Sequence, residues 1–145
     1  MNGTVEILLV EDNASDVDLI MEAFAESKLP MDFTVATDGM EAMDLLKEKV
    51  TTRSLPDLIL LDLNLPRKNG REVLQEVKSH RDLKSVPVIV LTTSTAPEDI
   101  SMCYCMSANG YIKKPTGFDQ YMRIAKSIEE FWLGVVNLPE KLPCC

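Results

Sequence analysis

Two acidic residues, Glu11 and Asp12, directly follow the apolar run VEILLV, and a third, Asp62, directly follows LILL. Thr92 closes the run VIVL, and Lys114 stands just after YIK. Carboxylates gathered in one crevice repel, and the repulsion is relieved by a proton held at a raised pKa or by a shared divalent cation. The cation is the simpler answer. All-oxygen donors with no His or Cys beside them suit a hard ion such as Mg²⁺, which takes one or two carboxylates and leaves room for phosphate oxygens. A hydroxyl at Thr92 can donate to a phosphoryl oxygen, and an ammonium at Lys114 can neutralise its charge. With Asp62 as nucleophile, these groups meet the needs of phosphoryl transfer to a carboxylate.

Taken singly, each residue has a duller explanation. Glu11 and Asp12 could cap a helix, Lys114 could be surface charge, and Thr92 could be a strand-end hydroxyl. Their shared placement, each at the end of a different apolar run, is what those explanations leave out. The runs are short and rich in β-branched residues, the pattern of strands buried on both faces. Between them apolar residues recur at helical spacing: Val17, Ile20, Met21 and Phe24 after a Ser15 cap, then Met40, Met43, Leu45 and Leu46, then Val73, Leu74 and Val77. A fourth helix opens at Pro97 with Glu98 and Asp99 and runs toward Ala108, Asn109-Gly110 turns into strand five, and a final helix runs from Phe118 to Trp132.

Strict alternation of strands and helices predicts an α/β doubly wound five-stranded parallel sheet, order 2-1-3-4-5, which brings strands one and three together at the topological switch point. Ligands bind beyond the carboxyl ends of such strands, where Glu11, Asp12 and Asp62 fall.

The 145-residue chain carries 15 Lys and Arg against 23 Asp and Glu, a net charge of −8 that disfavours binding to nucleic acid. No apolar stretch approaches the roughly 18 residues of a membrane span, nor does the N-terminus resemble a secretory signal, so a cytoplasmic location is expected. Cys103, Cys105, Cys144 and Cys145 build no disulfide framework, and Cys103 and Cys105, two apart on a helix, point away from each other. The tail pair is open to a redox or dimer role.

The segments ILLVEDN, LILLDLNLPRKNG, VPVIVLTTS and NGYIKKP together resemble the receiver domain of response regulators, the partners of sensor histidine kinases, over nearly the whole chain. The resemblance implies the flavodoxin-like receiver fold, phosphorylation of Asp62, and Mg²⁺ held by Asp12, Asp62 and the backbone carbonyl of Asn64, with Glu11 acting through water. It also implies that Lys114 contacts the phosphoryl group and that Thr92 and Tyr111 form the switch pair. Pro66 and Gly70 match the turn after the acceptor, and Glu11 stands where a second aspartate is more frequent. DLNLPRKNGREVL, LTTS and EEFWLGVVNLP further resemble stand-alone regulators serving phytochrome-type kinases. On that basis residues 1–134 are expected to form the receiver domain and 135–145 an extension without an output domain. Signalling would then be by contact, including a homodimer through helix four, strand five and helix five or through the apolar tail Phe131, Trp132, Leu133, Val135 and Val136. Folding of this tail onto its own core is the competing explanation.

Three rivals differ in class. A phosphatase of the haloacid dehalogenase type would use Asp62-Leu63-Asn64 but lacks the second aspartate two residues on. A contact-only module would have no need of the full acidic set. A flavodoxin would place a cofactor phosphate where Glu11 and Asp12 repel it. The chain is therefore expected to be a phosphoacceptor switch that assists its own phosphorylation and dephosphorylation, rather than an enzyme. No role is assigned to His80.

Overall fold

The computed structural model describes residues 4–139. Five strands, β1 (Val5–Val10), β2 (Met31–Ala36), β3 (Leu58–Leu61), β4 (Val88–Thr92) and β5 (Gly110–Lys113), form one sheet in the order β2-β1-β3-β4-β5. Every neighbouring pair is parallel, as the alternating pattern predicts. Five helices connect and follow them: α1 (Ala14–Ala25), α2 (Gly39–Thr52), α3 (Gly70–Ser79), α4 (Pro97–Cys105) and α5 (Phe118–Ser127).

The continuous apolar strands are explained by the two packed faces. Leu8, Val10, Ile59, Leu61, Val88 and Val90 point to one layer with Met43 and Leu46 of α2, Val73 and Leu74 of α3 and Cys103 of α4. Their neighbours Ile7, Leu9, Leu58, Leu60, Ile89 and Leu91 point to the other, against Ile20 and Phe24 of α1 and Tyr121 and Ala125 of α5. Successive strand residues face opposite sides, so covering both faces requires the runs to be apolar throughout.

Several local expectations give way. Asn13, not Ser15, caps α1, its side chain accepting from the Asp16 N–H, because the helix already begins at Ala14. Met21 and Met40 sit at apolar spacing yet are exposed. Helix α4 stops at Cys105, and Ser107, with φ of 72°, makes the left-handed turn toward β5. The final helix does not run unbroken to Trp132; α5 ends at Ser127 and continues as a π-helical turn over Ile128–Trp132, closed by a Leu133 N–H to Ile128 carbonyl bond. Trp132 and Leu133 pack on the core from this turn, whereas Phe131 and Val135 face solvent. Cys144 and Cys145 lie outside the described residues.

At Gly70 the need for glycine is one of space, since no described glycine has positive φ. A Cβ there would lie 2.1 Å from the Asp62 carbonyl oxygen, and one at Gly39 would lie 1.9 Å from that of Lys68. The loop from Asp62 to Gly70 is thus wedged between the start of α3 and the start of α2. An Asn69–Glu72 capping box closes its far end. We expect Gly70→Ala to cost about 1–3 kcal/mol in urea unfolding, against less than about 1 kcal/mol for Gly110→Ala, whose Cβ meets only ordinary contacts. Equal losses would show that the loop can yield.

Candidate functional site

Backbone pairing carries the site residues just past the strand ends. The Asp62 N–H donates to the Val10 carbonyl at 3.0 Å, the Glu11 N–H to Ala36 at 2.9 Å, and the Lys114 N–H to Thr92 at 2.7 Å. The β1, β3, β4 and β5 ladders therefore deliver Glu11, Asp62, Thr92 and Lys114 to one edge of the sheet. All four are buried, and charged residues such as Glu11, Asp62 and Lys114 are buried in this way only when paired. Asp12 is exposed beside them, and Glu11, Asp12 and Asp62 each offer an oxygen within 4.8 Å of the others.

The Lys114 ammonium adds a further counter-charge to the two remedies read from the sequence, lying 2.7 Å from Glu11 Oε1, 2.9 Å from Asp16 Oδ2 and 3.0 Å from Asp62 Oδ2. The second oxygens of two of these acids are also engaged: Glu11 Oε2 accepts from the Asn13 N–H and Asp62 Oδ1 from the Asn64 N–H, each at 3.1 Å. Burial pushes the Glu11 carboxyl up to about 7, the hydrogen bond from Lys114 opposing and the charge of Asp62 adding to the rise. Burial works against the Lys114 ammonium, but its bonds to Glu11, Asp16 and Asp62 prevail and raise its pKa.

Thr92 is fully buried, and its Oγ1 has no hydrogen-bond partner among the described residues. An orphaned buried hydroxyl costs about 1–3 kcal/mol, so it suits a position awaiting an acceptor. Tyr111 is half buried against the core layer of α2 to α4, its hydroxyl donating to the Ser94 carbonyl at 3.0 Å. Ser94 in turn donates from Oγ to Asp99 Oδ2 at 2.6 Å, and Asp99 Oδ1 accepts from Arg71 at 2.7 Å. A hydrogen-bonded chain thus runs from the start of α3, through α4, to the β4–α4 loop and β5.

Residues 7–126 match the response regulator receiver domain family. This chain belongs to that family. Among curated relatives, response regulator Rcp1 of Synechocystis is 42% identical over 92% of this chain and 92% of its own length. The probable methanogenesis regulatory protein FilR2 of Methanothrix harundinacea is 42% identical over 88% of this chain and 83% of its own. Among solved structures, the phosphorylated cyanobacterial phytochrome response regulator RcpA superposes with a TM-score of 0.89 at 48% identity, covering 95% of this chain and all of that one. The Mn²⁺-bound form of Rcp1 gives 0.86 at 40%, covering 94% and 99%. The receiver fold and a role in two-component signalling follow.

Within this receiver the structure gathers Glu11, Asp12, Asp62, Thr92 and Lys114 at one sheet edge, sets Asn64 on the adjoining loop, and keeps Tyr111 apart on the loop-facing side of β5. Sequence reasoning singled out neither Asp16, in the first turn of α1, nor Tyr121, on α5, as part of the site. Asp16 Oδ1 accepts from the Tyr121 hydroxyl at 3.2 Å. Burial, followed by the charge of Asp16, pushes that phenol up to about 12. The missed signal was topological, since the predicted strand order sets helices one and five side by side on one face.

The raised Glu11 pKa carries a sign. A carboxyl whose folded pKa lies above its unfolded value of 4.5 contributes stability below that pH and loses it as pH rises through about 7. In cation-free buffer we expect wild type to lose about 1–3 kcal/mol relative to Glu11→Gln between pH 5 and 8, measured by urea unfolding. A flat difference would mean that Lys114 fully offsets the burial.

Proposed function

We propose that Asp62 is the phosphoacceptor of this receiver, taking its phosphoryl group from the histidine of a sensor kinase and signalling through altered protein contacts. A carboxylate oxygen of Asp62 attacks phosphorus, the P–N bond breaks with its electron pair going to the imidazole nitrogen, and the new P–O bond makes an aspartyl-phosphate. The observation that carries this reading is the buried pairing of Asp62 with Lys114 at 3.0 Å beside an unpartnered Thr92 hydroxyl.

The oxygen donors of Glu11, Asp12, Asp62 and the Asn64 carbonyl fit a hard divalent ion, and we assign them to Mg²⁺. When bound, the ion offsets the charge of the acids and of the transferring oxygens. Lys114 neutralises charge on the phosphoryl group, and Thr92 donates to one of its oxygens. Thr92 and Tyr111 are read as the switch: when Thr92 turns to the phosphoryl group, the Tyr111 ring moves inward and its bond to Ser94 is given up. The same residues assist hydrolysis of the acyl phosphate, so the protein acts as a switch and not as a turnover enzyme.

The similarity to RcpA and Rcp1 supports a phytochrome-type kinase as the donor. No helix among the described residues is long and apolar enough to cross a membrane, in keeping with a cytoplasmic role. We take residues 1–134 as the receiver body and 135–145 as an extension. The exposed Phe131 and Val135, four apart, support a second copy as partner through this end, alongside helix four, strand five and helix five. Replacing both with Glu is expected to shift a dimer to monomer in light scattering; an unchanged mass would move the contact elsewhere.

Intact mass after incubation with Mg²⁺ and acetyl phosphate tests the central reading. One phosphoryl adduct is expected, lost with EDTA and in Asp62→Asn, and formed about 100-fold more slowly in Lys114→Ala or Thr92→Ala. Labelling that survives Asp62→Asn would overturn it.

A further inference from the structure

We infer that Asp16 and Tyr121 form a positioning pair that keeps the Lys114 ammonium at the transfer pocket while Glu11 and Asp62 turn to the cation and the phosphoryl group. This rests on Asp62 being the acceptor. An ammonium has three donors, and here each meets a different carboxylate, on Glu11, Asp16 and Asp62. Glu11 and Asp62 belong to the acidic group able to take a metal ion, and Asp16 does not. A cation at that group repels the ammonium, and formation of the acyl phosphate removes one oxygen of Asp62 from use. Lys114 would then lose two of its three anchors at the moment its charge is needed.

A lysine released on its four-carbon stem regains rotamer freedom and drifts toward solvent. Asp16 is built to prevent that. Its Oδ2 takes the ammonium, its Oδ1 is held by the Tyr121 hydroxyl, and its backbone N–H is fixed by the Asn13 cap. Tyr121 is itself buried between α1 and the sheet, so the carboxylate is gripped from two elements. The duller alternative is that Asp16 and Tyr121 merely tie α1 to α5. That role would appear in stability and leave Lys114 undisturbed.

The test compares the full chain with Asp16→Asn and Tyr121→Phe, the second preserving charge. Three quantities are read: the maximal rate of Asp62 phosphorylation by acetyl phosphate at saturating Mg²⁺, the Mn²⁺ dissociation constant by calorimetry, and the ¹H–¹⁵N resonance of the Lys114 ammonium. Asp16→Asn is expected to lower the maximal rate about tenfold and broaden that resonance, with Mn²⁺ affinity changed less than about threefold. Tyr121→Phe should act in the same direction by about threefold, the worth of one hydrogen bond. Wild-type maximal rates with a sharp resonance in both variants would overturn the inference, as would a deficit abolished by excess metal, which would place Asp16 at the cation site. If wild type itself fails to label Asp62, the acceptor reading falls, and the resonance alone decides whether the pair holds Lys114.

Discussion

Like charges packed where water is scarce set the terms for this molecule. Glu11 and Asp62, both buried, converge with the half-buried Asp16 and the exposed Asp12 at one end of a sheet buried on both faces, and Lys114 holds three of the four. In low dielectric that arrangement collapses without a compensating cation. Hence the strand order matters chemically as well as architecturally. Only with β1 between β2 and β3, and β4 between β3 and β5, do the ladder bonds that position Glu11, Asp62 and Lys114 point to one place.

The opposite side of the pocket has another character. Thr92 brings a hydroxyl with no partner among the described residues, and Tyr111 is tied to the β4–α4 loop by one bond to a carbonyl. Arg71, Asp99 and Ser94 extend that tie to α3, which begins where the acceptor loop ends. The chain of groups that ties Tyr111 to the surface near α4 thus starts on the helix that follows the Asp62 loop.

Much of this was open to reading from residue order. Apolar runs ending in polar residues declare buried parallel strands, and the family motifs mark Asp62, Thr92, Lys114 and Tyr111 together. Periodicity failed where spacing says nothing of what covers a face: Met21 and Met40 keep helical intervals yet meet solvent, and the π turn shifts register after Ser127 within an unbroken apolar pattern. The anchoring role of Asp16 escaped because an acid in a helix's first turn already has a sufficient local reason, the helix dipole. Its true partners lie 98 and 105 residues away. Gly70 could be placed in its turn from the motif, but the close backbone approach that requires a glycine there depends on the folded loop and could not be read.

That close approach has a mechanical consequence. The acceptor loop is wedged backbone to backbone at Gly39 and Gly70, whereas the β4–α4 loop is laced largely by side-chain bonds. One wall of the pocket is stiff and the other compliant, since steric overlap rises far more steeply than the roughly 1 kcal/mol of a typical hydrogen bond. Strain introduced between them would relax mainly on the compliant side, so the pocket is built as a rectifier that favours the surface of the β4–α4 loop.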